Sequence, residues 1–317
     1  MQRIPEISVM QTLGVIFVCV FHSMAGVAEY SFPYRWIHIF VIPLFFYLSG
    51  YLFCYTRSQE RTLTQFVSHK SYRLLLPYFV ISTLVFVPKS FLSTYAMRPT
   101  DFSLSGYLRM LLMPYDNVIV YYWFIPTLYV VLLLFYLLFH YLPTSVLRAP
   151  IMLPFFVLLY FVNPIASLWV LNIGEAVECL SFFAFGYYSC VWQLPMLMRR
   201  HIGVLFVSSF LLLSLSVLFH GNPLFDFIGA VMGIVMCQSL ASLYLRSGYS
   251  FLNHLEGAYF TIYLLSWFPQ VAVNRLLLGG GDIYVHPCIA FFLALLSGIY
   301  IPLLVHRLYT RWSDQKG

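Results

Sequence analysis

The stretch SVMQTLGVIFVCVFHSMAGV, from Ser8 to Val27, decides the fold class of this chain. It contains no Lys, Arg, Asp or Glu, and it is about as long as an α-helix must be to cross the hydrocarbon core of a bilayer. The run is too long for the core of a signal peptide and is not followed by a small-residue cleavage pattern. We therefore expect a retained transmembrane helix here, with one histidine, His22, inside it.

The composition extends this interpretation to the whole chain. Hydrophobic residues make up 61% and charged residues 9% of the 317 residues, and the mean hydropathy is +0.84. No soluble domain could bury so much apolar surface. We predict an all-α integral membrane protein, a bundle of about ten transmembrane helices forming a single membrane domain over residues 1–317. The expected spans lie near residues 8–27, 36–55, 73–92, 122–140, 150–171, 177–192, 203–220, 224–245, 257–274 and 286–306.

The basic residues predict the orientation of the bundle. An even number of spans places both termini on one side, and that side receives 12 of the 17 Lys and Arg residues. Because basic residues concentrate in cytoplasmic loops, both termini are expected in the cytoplasm. The net charge of +6 is explained by this cytoplasmic rim. It gives no reason to expect a nucleic-acid partner.

Metal and cofactor sites are not expected. The six cysteines lie in or beside apolar segments without a CxxC pair, and the nine histidines have no partner at ligand spacing. A phosphate loop and a dinucleotide fingerprint are also missing from the sequence. We expect free, buried thiols, no metal and no bound cofactor.

The informative polar residues lie in the first third of the chain. An ionisable side chain in a membrane span is costly and by default marks a functional position, although His22 could also be a structural hydrogen-bonding residue. Gln11 lies eleven residues earlier, on the same face of the helix. Ser49 and Gly50 are small enough for close helix contact. Lys70 and Arg73 are three residues apart on one helix face, where they would also satisfy the positive-inside rule.

In combination, these residues form a recognisable order of motifs. QTLGVIFVCVFH ends at His22, FFYLSGYL follows at Phe45–Leu52, and KSYRLLLPYF begins at Lys70. YYWFIPTLYVV surrounds Trp123, and AYFTIYLLSWFPQV occupies Ala258–Val271. In this order the motifs resemble the type-3 membrane acyltransferase family, whose members O-acylate sugars and surface polysaccharides. The resemblance covers most of the chain.

The chain departs from the family pattern at three positions. The family's basic residue before the histidine is Gln11 here, and the acid three residues earlier is Ser8. The histidine of the late motif falls on Ser266. A glutamine keeps a hydrogen-bond donor but lacks the permanent charge and the bidentate geometry of arginine.

The resemblance implies a transfer of an acyl group from a thioester to a sugar hydroxyl. His22 is the candidate general base, because imidazole titrates near neutral pH. Lys70 and Arg73 would hold the phosphates of an acyl coenzyme A, with acetyl-CoA as the expected donor substrate. Gln11 is a candidate hydrogen-bond donor to the reacting carbonyl. Since it lies about 16 Å from His22 along the helix, only an extended donor could meet both.

The acceptor is expected at the outer face. The connection from Asp101 to Trp123 mixes Asp, Asn and Tyr, side chains that stack on sugars and hydrogen-bond to them. Glu175, Glu178 and Asp226 could add contacts, although solvated loop ends would explain the two glutamates and helix capping would explain Asp226.

The sequence leaves three functions open. The favoured one is an O-acetyltransferase of the inner or plasma membrane, acting on a cell-surface polysaccharide or its lipid-linked precursor. A transporter on the same scaffold is the first alternative. The second is a catalytically impaired assembly partner, for which the changes at Gln11 and Ser266 are the argument. The lipid bilayer is an expected partner in each case.

Overall fold

A computed structural model describes residues 4–24, 31–91, 102–278 and 286–314. Within these ranges every regular element is a helix, which confirms the all-α prediction. The α-helices are α1 (Pro5–Met24), α2 (Phe32–Tyr55), α3 (Leu63–Lys70), α4 (Leu76–Phe91), α5 (Leu104–Leu112), α6 (Phe124–Tyr141), α7 (Thr144–Arg148), α8 (Met152–Phe161), α9 (Ile173–Val191), α10 (Leu194–Met198), α11 (Ile202–Val217), α12 (Pro223–Ser247), α13 (Tyr259–Leu265), α14 (Trp267–Leu278) and α15 (Pro287–Asp314).

Eight helical segments of the described residues are long and apolar enough to cross a membrane. The predicted number of about ten is therefore not confirmed, and the cytoplasmic position of the termini stays a prediction. The eight segments are Pro5–Met24, Phe32–Tyr55, Leu63–Phe91, Val120–Tyr141, Val170–Val191, Leu194–Val217, Pro223–Ser247 and Pro287–Ser313.

Two expected spans are shorter than predicted, and proline accounts for both. Near residues 150–171 the helix is α8, which ends at Phe161, just before Asn163 and Pro164. Near residues 257–274 the helix is divided into α13 and α14 at Ser266. Pro269 has no N–H to donate to the carbonyl of Leu265, and its ring crowds that carbonyl, so a continuous α-helix is disfavoured at this point.

A different interruption lies in the segment Leu63–Phe91. It begins at Thr62 with a capping box. The Thr62 hydroxyl accepts the backbone N–H of Gln65, and the Gln65 side chain accepts the backbone N–H of Thr62. Residues Ser71–Leu75 then form a π-helix. Pro77 has no N–H to donate to the carbonyl of Arg73. The i→i+5 hydrogen bonds of the π-helix let the helical segment continue in spite of this missing bond.

The start of α9 corrects one expectation from the sequence. Leu171 and Asn172 both have left-handed backbone angles, and the helix begins directly after them. Glu175 and Glu178 therefore lie within α9 and not in a loop end. Both are half-buried and hydrogen-bonded, Glu175 by Tyr115 and Glu178 by Asn163.

The chain divides into two compact units, and its prediction as a single domain stays a prediction. The first unit comprises Met1–Leu48 and Leu194–Gly317, and the second comprises Ser49–Gln193. In the first unit α1 packs against α2, α13 and α15 through two buried apolar clusters. The core of the second unit is aromatic, with Phe53, Phe135, Phe183 and Tyr187 in mutual ring contact.

All six cysteines are free thiols, as predicted. The prediction that they are buried is correct only for Cys19, Cys179 and Cys237. Cys54 and Cys190 are half-buried, and Cys288 is exposed.

Candidate functional site

His22 lies in the last turn of α1 and is half-buried. The apolar residues around this turn include Val18 and Met24, which pack with Ile37 and Val41 of α2. Gln11 is half-buried on the same helix, eleven residues earlier. The spacing predicted from the sequence is thus retained, since α1 is continuous from Pro5 to Met24.

A buried polar contact fixes the turn that carries His22. Gln270 of α14 donates from Nε2 to the carbonyl oxygen of Cys19 and to the hydroxyl of Ser23, each at 2.8 Å. The Ser23 hydroxyl itself donates to the Cys19 carbonyl at 2.8 Å. The Gln270 side chain is only 1% exposed. Gln270 was not among the residues predicted from the sequence, although it is, like His22, a polar residue within an apolar segment.

Ser266, the position of the family's late histidine, lies at the break between α13 and α14. Its side chain is 1% exposed and lies beside the thiol of Cys19, which is one helical turn before His22. The first unit therefore brings position 266 close to the turn of α1 that carries His22. The buried site is filled by a small side chain, and an imidazole would need more room than serine occupies.

The cytoplasm-facing end predicted for α1 holds a second polar contact. Ser8 donates to Oε1 of Glu256 at 3.0 Å, and its hydroxyl lies 2.6 Å from that of Tyr259. A carboxylate thus lies beside position 8, although the residue there is serine and not the acid of the family pattern. Glu6, in the first turn of α1, forms an ion pair with Arg199.

The predicted donor-binding residues lie in the second unit. Lys70 is the last residue of α3, and Arg73 belongs to the π-helix that follows. The wider π turn means that the two side chains do not share one α-helical face in the manner predicted. The two positive charges are nevertheless close enough to repel each other, and Arg61 is a third cation in the same group. Lys70 Nζ also lies 5.8 Å from the ring centroid of Phe66, within cation–π distance.

Gly50, one member of the predicted small pair Ser49 and Gly50, lies at a close contact between two helices. Gly50 is buried against the backbone carbonyl of Phe183 on α9, where a Cβ atom would overlap that carbonyl. The backbones of α2 and α9 approach closely only because position 50 has no side chain. Ser49 is half-buried beside it. Gly50 therefore allows close packing of α2 on α9 in the second unit.

Trp123 and Tyr115 form an aromatic stack next to a carboxylate. Their ring centroids are 5.4 Å apart with an interplanar angle of 24°, and Tyr115 donates to Glu175 at 2.6 Å. Tyr115 is 37% exposed. Burial, followed by the negative charge of Glu175, raises the pKa of the Tyr115 phenol well above its usual value.

Two other polar residues of this connection, Asn117 and Asp116, are bonded to side chains of the protein itself. Asn117 is only 3% exposed, and its amide donates to Tyr78 and Ser82 while its oxygen accepts the N–H of Ile119. Asp116 pairs with Arg109 at 2.6 Å. Asp101, which we included in the predicted sugar-facing connection, lies outside the described residues.

Asp226 has a structural role at the start of α12. Its carboxylate accepts the N–H of Gly221 at 3.1 Å and pairs with His220 at 2.8 Å. The N-cap itself is Asn222, whose side chain accepts the N–H of Leu224. Among the described residues, no group of three His, Cys, Asp or Glu side chains is arranged to hold a metal ion.

Comparison with protein families identifies the family of this chain. A family model of the type-3 acyltransferases, described as an acyltransferase domain, matches residues 4–307 and so covers nearly the whole chain. Neither the curated proteins nor the solved structures gave a match.

Proposed function

Because this chain belongs to the type-3 acyltransferase family and is a multi-pass membrane protein, we propose that it O-acetylates a sugar, with acetyl-CoA as donor. The acceptor is a hydroxyl of a cell-surface polysaccharide or of its lipid-linked precursor, and the protein works in the inner or plasma membrane. The observation that carries this proposal is His22, an imidazole held in the last turn of an apolar, membrane-length helix in a chain of this family.

The chemistry assigned to His22 is proton transfer. Its imidazole takes the proton of the acceptor hydroxyl as the hydroxyl oxygen attacks the thioester carbonyl. When the tetrahedral intermediate collapses, the carbon–sulfur bond breaks and the imidazolium returns the proton to the leaving thiolate. Coenzyme A leaves as the thiol and the sugar leaves as the ester, so the protein is unchanged at the end.

The cationic group at Arg61, Lys70 and Arg73 supports a donor with phosphates. Coenzyme A carries several negative charges, and Arg and Lys bind phosphates through charge-assisted hydrogen bonds. The predicted cytoplasmic position of this group matches the side on which acetyl-CoA is available. No bound cofactor is needed, because acetyl-CoA is a substrate.

The stack of Tyr115 and Trp123 supports a sugar acceptor. Aromatic faces stack on the apolar face of a sugar ring, and the Glu175 carboxylate next to the stack can accept hydrogen bonds from sugar hydroxyls. Asn117 does not contribute, since its amide is already used within the second unit.

The decisive experiment compares O-acetyl groups of surface polysaccharide by mass spectrometry in cells with the intact chain, His22→Ala, His140→Ala or no copy. Membrane levels of the three proteins are matched. His140, exposed near the end of α6, is the control histidine. We expect acetyl groups with the intact chain and with His140→Ala, and none with His22→Ala or without the gene. Acetylation that survives His22→Ala would refute the role of His22.

An acetyl profile that is the same in all four strains would exclude surface polysaccharide as the acceptor. The transporter and the non-catalytic assembly partner would then be the functions to test. Release of coenzyme A by purified protein supplied with acetyl-CoA distinguishes them from a transferase with another acceptor.

A further inference from the structure

We propose that Gln270 is a positioning residue that holds His22 in place by clamping the last turn of α1. The inference rests on the proposed function, in which His22 is the general base. Gln270 itself does not touch the reacting groups. It acts through the backbone and the hydroxyl group on either side of His22.

The orientation of the Gln270 amide is determined by its neighbours. The carbonyl oxygen of Cys19 can only accept, and the Ser23 hydroxyl uses its hydrogen to bond that same carbonyl. Both atoms therefore present lone pairs to Gln270, and both are 2.8 Å from Nε2. A rotated amide would place its oxygen against two acceptors, so the NH₂ end must face α1.

The clamped residues flank His22 in the sequence. Cys19 lies three residues before it and Ser23 one residue after it, within a single helical turn. The hydrogen bonds from Gln270 therefore restrain the turn that carries His22 from outside its own helix.

Gln270 is itself held by the close approach of α15. A Cβ atom at Gly298 would lie 2.7 Å from Cγ, Cδ and Nε2 of Gln270. Glycine at this position therefore provides the space that the amide fills. Three helices meet here, with α14 supplying the amide, α1 the acceptors and α15 the glycine.

The first test separates positioning from folding by steady-state kinetics. Gln270→Leu keeps most of the volume but removes both hydrogen-bond donors. We expect kcat to fall by between about 10-fold and 100-fold, as misplaced reacting groups cause. The KM for acetyl-CoA should stay within about twofold, because donor binding is assigned to Lys70 and Arg73. Ser297→Ala is the matched control, since the Ser297 hydroxyl donates to the carbonyl of Ala294 in its own helix.

The second test separates hydrogen bonding from packing. Gln270→Ala leaves a cavity, and the added Gly298→Ala methyl group partly refills it. If Gln270 acts through its hydrogen bonds, the double variant recovers thermal stability but stays as slow as Gln270→Ala. Recovery of kcat together with stability would show a packing role and would overturn the proposal.

The third test does not depend on catalysis. Diethyl pyrocarbonate modifies accessible imidazoles, and peptide mass spectrometry gives the rate at His22. We expect several-fold faster modification of His22 in Gln270→Leu than in the intact protein or in Ser297→Ala. If kcat and the modification rate both stay within twofold of the intact protein, Gln270 does not position His22. If His22→Ala is fully active while Gln270→Leu still changes the modification rate, the clamp is real and the general-base role of His22 is wrong.

Discussion

Gly50 on α2 lies directly against the backbone carbonyl of Phe183 on α9, with no room for a Cβ atom between them. Gly50→Ala should therefore force the two helices apart and lower the free energy of unfolding by about 1–3 kcal/mol. The measurement is the thermal unfolding midpoint of the purified protein in detergent.

Gly203→Ala is the control for this change. Gly203 is an exposed helical glycine of α11, and a Cβ atom there would meet nothing within 4 Å. Its midpoint should be unchanged or slightly raised, because alanine is the better helix former by up to about 1 kcal/mol. An equal loss in both variants would contradict the close contact at Phe183.

Lys70→Gln should raise the KM for acetyl-CoA by about 10-fold to 100-fold with a smaller effect on kcat. The change removes a charge-assisted bond, which contributes about 1.5–3 kcal/mol. Initial rates over a range of donor concentrations measure it. Arg200→Gln, at an exposed arginine of the first unit, is the control and should leave the KM unchanged.

A truncated donor shows whether Lys70 acts on phosphates. Acetylpantetheine carries the thioester but lacks the phosphates and the nucleotide. With this donor, Lys70→Gln and the intact protein should have the same kcat/KM. A difference that persists with the truncated donor would place Lys70 elsewhere in the mechanism.

Trp123→Leu should raise the KM for the sugar acceptor several-fold, because it removes the ring that stacks on Tyr115. Tyr115→Phe keeps the stack and loses only the bond to Glu175, so its effect should be smaller. Acceptor titration at saturating acetyl-CoA measures both. Equal KM values in all three proteins would exclude this stack from the acceptor site.

The pH dependence of Tyr115 has a defined sign. The folded protein raises the pKa of the phenol above its unfolded value of about 10, chiefly by burial. This group therefore stabilises the fold below about pH 10, and the contribution is lost only as the pH rises through the higher folded value. The difference in thermal midpoint between the intact protein and Tyr115→Phe should stay constant from about pH 8 to pH 10. A difference that disappears within that range would contradict the raised pKa.

Ser8→Asp restores the acid of the family pattern but places it against Glu256. Two carboxylates at this separation repel each other by about 1–4 kcal/mol, depending on local screening, so the thermal midpoint should fall. Adding Glu256→Gln to Ser8→Asp should recover most of the loss. Glu256→Gln alone keeps an acceptor for Ser8 and should be nearly neutral. If the double variant is no more stable than Ser8→Asp, the repulsion is not the cause.

Local patterns in the sequence were sufficient to predict an all-helical chain with apolar helices of membrane-spanning length. They also placed His22 in a membrane-length helix, because a run of apolar residues around one imidazole is a local signal. The division of the ninth expected span at Ser266 was not predicted, although Pro269 was visible in the sequence. A proline inside an apolar run can bend a helix or end it, and the surrounding packing decides between these results.

The missed contacts join residues far apart in the chain. Glu256 lies 248 residues from Ser8, and Gln270 lies 251 residues from Cys19. Only the folded chain brings these pairs together, so no spacing rule could have found them. Gln270 did carry one usable signal, since an amide within an apolar helix must find partners or lose free energy.

The π-helix at Ser71–Leu75 has a consequence for changes in chain length. Each i→i+5 hydrogen bond encloses one residue more than the i→i+4 bond of an α-helix. The segment is therefore equivalent to an α-helix with one inserted residue. Deleting a single residue there would restore the α-helical pattern without breaking the segment. It would also rotate Lys70 by about 100° relative to α4, since each residue turns an α-helix by that angle. The direction in which this cation points is therefore set by how many residues the wide turn contains.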